Sequence, residues 1–183
     1  MLRICPPILT FFATALIFGA CRKSGAAAPP YGFNFVVGDT DKKSNQVDTG
    51  YFTTFAAATV GKHLFSISTL LSQNSSFQIS LQLTDSILPG VQYTTGNLSR
   101  DANMQVDIGY QDAGGNVFSS NGAFLDSAMY EYIIPVPTVL EFSTITATYA
   151  SGNFQATVTQ SNGSTYLTIV NGRFTVPIRR QNQ

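Results

Sequence analysis

The chain has 183 residues, room for one domain with a proper core, and its ten Lys and Arg balance ten Asp and Glu. Only 11% of residues are charged, well below the usual ~25%, so nothing electrostatic recommends nucleic acid or an acidic membrane surface as a partner. Fourteen Phe and eight Tyr, no Trp, and an abundance of Thr, Ser, Asn, Gln and Gly form the composition of a β protein, not of a helical one.

The N-terminus carries Arg3 and an apolar run from Ile8 to Phe18 that ends in Gly19-Ala20-Cys21. That length suits the h-region of a signal peptide. Extending the run back to Ile4 meets Pro6-Pro7, and a stable span needs about 20 apolar residues, so an uncleaved anchor is the weaker reading. Two small residues before a Cys resemble a bacterial lipobox, in which the signal is cut before the Cys and its thiol takes lipid. Phe18 departs from the Leu, Val or Ile usual at that place. Ordinary secretion would use the small residues of Gly25–Ala28, which lie far past the apolar run and are followed by Pro29.

The expectation is therefore a signal peptide over residues 1–20, a lipidated Cys21 at the start of the mature protein, a tether over 21–30, and one domain over 31–183. Cys5 leaves with the signal and Cys21 carries lipid, so the mature domain holds no thiol for a disulfide, a nucleophile or a thiolate metal site. The tether "RKSGAAAPPYG" is flexible, then stiffened by Pro-Pro. In Bacteroidota-type lipoproteins an acidic cluster after the Cys goes with display on the cell exterior. This tether has no acid before Asp39, which by that resemblance implies the periplasmic face of the outer membrane.

Beyond the tether, alternation of period two recurs and helical periodicity is not sustained. Strands are predicted over Tyr31–Val37, Tyr51–Val60 and Leu64–Leu71. In "FQISLQLT", Phe77, Ile79, Leu81 and Leu83 face one way while Gln78, Ser80, Gln82 and Thr84 face the other, as in an antiparallel sheet with one wet face. A short strand over Val91–Thr94 follows, then "NMQVDIGY" with Met104, Val106, Ile108 and Tyr110 inward. "QDAGGN" supplies a turn before a strand at Val117. "SSNGAFLDSAMYEY" has room for a helical turn. "IIPVPT" reads as a crossover or edge segment, because each Pro lacks a ladder donor.

After a strand over Val139–Phe142, two hairpins are predicted. One turns at Ser151-Gly152 and pairs Tyr149 with Phe154 and Ile145 with Val158. The other turns at Asn171-Gly172 and pairs Ile169 with Phe174 and Leu167 with Val176. Together they make a meander from about Thr144 to Ile178. The fold class expected is all-β: an antiparallel β-sandwich or flattened barrel of about ten short strands.

The string "YASGNFQATVTQSNGSTYLTIVNGRFTVPI" resembles the closing segment of uncharacterised Bacteroidota lipoproteins. Those commonly end in a strand pair of the type Gly-x-Phe, a Thr/Gly-rich turn and an Asn-Gly-x-Phe hairpin, and "FQISLQLTDSILPGVQYT" is similar to their central strand. Such domains often open with a Trp or Phe, and this chain has no Trp. The resemblance implies a small all-β domain and an envelope address. It implies no reaction.

Candidate chemistry is sparse. His63, the one His, is expected in a turn after Gly61-Lys62, and no Gly-x-Ser-x-Gly elbow accompanies it for a Ser-His-Asp triad. Asp39, Asp41 and Asp48 are oxygen ligands of the kind Ca²⁺ takes, but their loop lacks the Gly and closing Glu of an EF-hand and contains Lys42-Lys43. Asp107, Glu131 and Glu141 are the acids from which a glycosidase pair would be drawn. Asp85-Ser86-Ile87 and Asp126-Ser127-Ala128 resemble the O-glycosylation acceptor of Bacteroides-like bacteria, with Ser86 and Ser127 as the modified residues.

No catalytic, metal or cofactor site is predicted. The reading that follows is a lipid-anchored envelope protein that binds without catalysis, its partners the membrane through its lipid and an envelope protein or glycan. Its contact surface is expected on the loops Gly38–Gly50 and Ser119–Tyr130. The competing readings are a carboxylate-based hydrolase and a carrier of apolar ligands inside the β fold.

Overall fold

The computed structural model describes residues 30–54, 63–95, 104–121, 124–126, 131–133, 136–160, 162–163 and 165–182. The segment read as a signal peptide, Cys21 and most of the predicted tether lie outside them, as do Ser127 and the far half of the strand predicted over Tyr51–Val60. The described residues form strands and turns with no helix: β1 (Gly32–Val37), β2 (Thr40–Ser44), β3 (Gly50–Thr54), β4 (His63–Ser72), β5 (Ser75–Leu83), β6 (Gln92–Thr95), β7 (Met104–Gln111), β8 (Val117–Ser119), β9 (Phe124–Asp126), β10 (Glu131–Ile133), β11 (Thr138–Ile145), β12 (Tyr149–Gln160) and β13 (Tyr166–Asn182). The segment given room for a helical turn instead contributes β9 and β10, a two-stranded ribbon.

The remaining strands form one 11-stranded sheet in the order β2-β1-β13-β3-β4-β5-β7-β8-β12-β11-β6, with β12 also paired to β13. Ring contacts show that this sheet is folded on itself. Phe35 and Phe33 of β1 meet Phe77 of β5 at 4.4 and 5.4 Å, Phe154 of β12 meets the same ring at 5.0 Å, and Phe142 of β11 meets Phe65 of β4 at 4.9 Å. One layer is thus β6-β11-β12-β13-β1-β2 and the other β3-β4-β5-β7-β8, with the aromatic core between them.

Two long strands stitch the layers. β12 leaves its layer at Thr159 and Gln160, which pair with Ser119 and Phe118 of β8. β13 leaves at its other end, where Ile178–Asn182 pair with Gly50–Thr54 of β3. Pro177, which has no N–H to donate, stands at that departure, opposite Tyr149. The pairing of β13 with β3 is parallel, the single parallel pair in a sheet whose other described pairings are antiparallel. A terminal strand that crosses layers meets β3 in whichever direction the closure leaves it.

Alternation predicted the interior well. In β5, Phe77, Ile79, Leu81 and Leu83 are buried, and in β7 Val106, Ile108 and Tyr110 are buried. The turn at "QDAGGN" forms as expected, with Asp112 accepting hydrogen bonds from the Asn116 backbone at 2.9 Å and its side-chain amide at 2.8 Å. The Asn116 side chain first, then its backbone, holds the Asp112 carboxyl below the usual carboxylate range.

The two predicted turns at Asn171-Gly172 and Ser151-Gly152 do not form. β12 and β13 run straight through both sites, and the meander turns at Thr146–Tyr149 and between Gln160 and Thr165. The reason lies in side-chain parity. Ile169 and Phe174 are an odd number apart, so both can face the core only if the strand is interrupted between them. A two-residue turn does that; so does a β-bulge, and the chain uses the bulge. Asn171 adopts φ 55°, a left-handed conformation that Asn tolerates, and the register against both β12 and β1 shifts there. At Ser151-Gly152 no interruption is needed, because Ala150, Gly152, Phe154, Ala156 and Val158 already line one buried face. The bulge of this pair falls on β11 instead, between Phe142 and Thr144.

The two Gly-x-Phe steps meet across this pair of strands. Gly152 lies opposite Phe174, and Phe154 opposite Gly172. A Cβ on Gly172 would stand 2.5 Å from the Phe154 ring and from its carbonyl oxygen, and one on Gly152 would meet the Glu141 carbonyl and the Phe174 ring. Each glycine is the space that the other strand's ring occupies.

Substituting Gly172→Ala should cost about 1–3 kcal/mol by overpacking, read as a lower urea midpoint with the m-value unchanged. Among the described residues, Thr159 Oγ1 is buried without a hydrogen-bond partner. Thr159→Val, which keeps the shape and removes the orphan, should therefore raise stability by roughly 1 kcal/mol, seen as a higher Tm.

Candidate functional site

The outward faces of the two layers carry the polar half of each alternating strand, and each face contains a groove. On the layer of β3-β4-β5-β7-β8, a groove of 660 Å³ has Tyr51 and Asp48 on its walls and Ser66, Ser68, Ser80 and Gln78 among its floor residues. Register explains the set. Tyr51 pairs with Ser66, Ser66 with Ser80, and Ser80 with Asp107; in the next outward row Ser68 pairs with Gln78 and Gln78 with Gly109. Short serines keep the floor low. Gln78 lies over Gly109, where a Cβ would stand 2.6 Å from its side-chain nitrogen.

The walls are positioned by separate devices. Asp48 is drawn against β4 because its N–H donates to the Ser68 carbonyl at 3.3 Å and its carboxylate accepts from Ser68 Oγ at 3.0 Å. Beneath it, Thr69 Oγ1 donates to the Gln46 carbonyl at 2.6 Å and lies 2.8 Å from Ser44 Oγ, a buried link between β2 and β4. Tyr51 keeps 37% of its surface exposed, while its chain neighbour Phe52 packs on Phe65 at 4.8 Å. One side of β3 is thereby anchored, and the Tyr51 ring stands out on the other.

On the opposite layer a second groove, of 510 Å³, is lined by Gln92, Glu141, Asn153, Arg173 and Asn34 among others. A smaller cleft of 160 Å³ lies beside Thr54, His63, Ser86 and Arg180.

The residues singled out in the sequence are scattered over this architecture. His63 is not in a turn: it opens β4, paired with Thr54 and Leu83, and its Nδ1 lies 3.4 Å from Thr54 Oγ1. Asp39 occupies the β1–β2 turn, Asp41 lies in β2, and Asp48 faces β4. Among the described residues no three His, Cys, Asp or Glu side chains gather as metal ligands. Asp107 accepts from Ser119 Oγ at 2.9 Å and Glu141 from Gln92 Nε2 at 3.0 Å. These two acids look outward from opposite layers, with the core between them. Glu131 lies in β10.

Ser86 sits exposed just after β5, accessible as an O-glycan acceptor must be. The segment Gly38–Gly50, expected to be a contact loop, is mostly ordered pairing: β2 against β1, and Val47 bridged to Thr69. The interior that an apolar carrier would keep open is occupied by rings in mutual contact.

The grooves were half visible in the sequence. Gln78 and Ser80 stood out as the wet face of "FQISLQLT", but which strands would lie beside them was not encoded in any local pattern. Comparison of the chain with protein-family models, with curated proteins and with solved structures finds no match.

Proposed function

We propose that this protein is a non-catalytic glycan-binding module of the cell envelope, held at the outer membrane by lipid on Cys21 and resembling uncharacterised Bacteroidota lipoproteins of that address. The observation that carries the binding role is the Tyr51 groove. An exposed aromatic ring stands beside a floor of short hydroxyls, with the Asp48 carboxylate and the Gln78 amide within the same concavity. An aromatic face packs on the C–H face of a sugar ring. Carboxylate, amide and hydroxyl side chains supply both acceptors and donors for its hydroxyl groups. Tyr51, the serines and Gln78 stand on strands paired to their neighbours, which limits the ordering entropy that opposes binding.

Catalysis by a carboxylate pair would require two acids across one cleft. Asp107 and Glu141 lie on opposite faces, each engaged by its own partner, which favours binding over hydrolysis.

The test is affinity electrophoresis and glycan-array binding with the mature acylated protein in detergent. Tyr51→Ala should weaken binding of the retained glycan about three- to tenfold, the worth of an aromatic stacking contact. Undiminished binding by that variant, or an array with no retained glycan, defeats the assignment. The address is tested separately. Alkyne-fatty-acid labelling should mark the wild type and not Cys21→Ala, which should also leave the membrane fraction; an unlabelled wild type would remove the lipid anchor from this reading.

A further inference from the structure

The groove on the opposite layer shares no residue with the Tyr51 groove and has a different chemistry. A single row of paired positions builds it. Gln92 on β6 opposes Glu141 on β11, Glu141 opposes Asn153 on β12, Asn153 opposes Arg173 on β13, and Arg173 opposes Asn34 on β1. Lys43, on the edge strand β2, opposes Asn34 and extends the row. The alternation that sends Leu140, Phe142, Phe154, Phe174 and Phe33 into the core sends this whole row outward.

Charge is ordered along the row. Lys43 and Arg173 lie toward one end, Glu141 toward the other, and Asn153 between Arg173 and Glu141. Adjacent strands are about 4.8 Å apart, so Arg173 and Glu141 stand roughly 10 Å apart at the backbone. Glu141 is fixed by the Gln92 amide at 3.0 Å and keeps further lone pairs for a ligand. The exposed Arg173 side chain has no hydrogen-bond or ion-pair partner among the described residues. Its guanidinium fork matches a carboxylate in two parallel hydrogen bonds, and the amides of Asn34 and Asn153 flank it on the neighbouring strands.

We propose that this groove binds a carboxylated sugar, a uronate unit of an acidic glycan. Its carboxylate lies on Arg173 beside the Asn34 amide, and its ring hydroxyls lie on Asn153 and Glu141. Primary amides both donate and accept, as hydroxyls do, so a row alternating amides with charges reads a polyhydroxylated ring with a charge at one side. A peptide offers the same carboxylate at its C-terminus. An extended peptide that pairs with a sheet does so at its edge, whereas this row crosses the face of a sheet.

Calorimetry on the mature protein in detergent, with a galacturonate trimer, its methyl ester and tri-alanine as probes, tests the assignment. The acid should bind at least about tenfold more tightly than its ester and than tri-alanine, the worth of a charge-assisted hydrogen bond. Arg173→Gln should weaken binding of the acid by a similar factor, with part restored in Arg173→Lys. Arg179→Gln removes the same charge from the same strand in the other layer and should leave affinity within about twofold. Equal binding of acid and ester, equal binding of tri-alanine, an equal loss in Arg179→Gln, or no binding of the acid at millimolar concentration would each overturn the proposal. The ester comparison uses the wild-type protein and stands whatever the folding of the variants.

Discussion

Phe154 over Gly172 and Phe174 over Gly152 is the contact on which the sandwich depends. In an antiparallel pair the side chains of opposed residues compete for one patch of the inner face. Two phenylalanines opposed directly would crowd it, and two glycines would leave it empty. The reciprocal arrangement fills it twice with one ring each time. Those rings then reach in different directions: Phe154 to Phe77 at 5.0 Å and Phe35 at 5.7 Å, Phe174 to Phe142 at 5.7 Å and Phe65 at 6.1 Å. Both layers are thereby gripped from the central strand pair. Fully buried aromatic side chains are each worth several kcal/mol when removed from a core, and here the largest of them belong to one connected cluster.

The same pair explains how a small domain without thiols closes its sheet. β12 and β13 are long enough to be a member of one layer at one end and of the other layer at the opposite end. Open edges are the usual weakness of a sheet. Crossing over at both ends leaves β2 and β6 as the edges of the order, and β2 carries Asp41, Lys42 and Lys43, the charged kind of strand that resists pairing with another chain. Where a layer strand alternates, its apolar residues turn inward and its polar residues are left for the outward rows. Their chemistry is then free to vary, which is where the serine-floored groove and the Arg173 row arise.

Parity was the most informative signal in the sequence and also its main ambiguity. Ile169 to Phe174 demanded an interruption, and Asn171-Gly172 supplied residues able to adopt positive φ. A hairpin turn and a bulge satisfy that demand equally at the level of local chemistry. What separates them is the strand on the far side: β1, more than a hundred residues earlier in the chain, pairs along β13 on both sides of the bulge and holds it extended. At Ser151-Gly152 the ambiguity has another source. Ala150 and Gly152 carry too little apolar weight to register as an inward face, so the apolar pattern pointed to Tyr149 instead.

The sequence by itself determined the class of the fold, the inward residues of β5 and β7, and the punctuation at "QDAGGN". These follow from composition and from period-two alternation, which are local properties. Only the tertiary structure decided which strands are neighbours, that one pairing is parallel, and that Tyr51, Ser66 and Ser80, or Glu141, Asn153 and Arg173, form single rows. The physical reason is that cross-strand adjacency depends on non-local register, fixed by how aromatic volumes fit in the closed core and not by any preference of the residues that come to line the grooves.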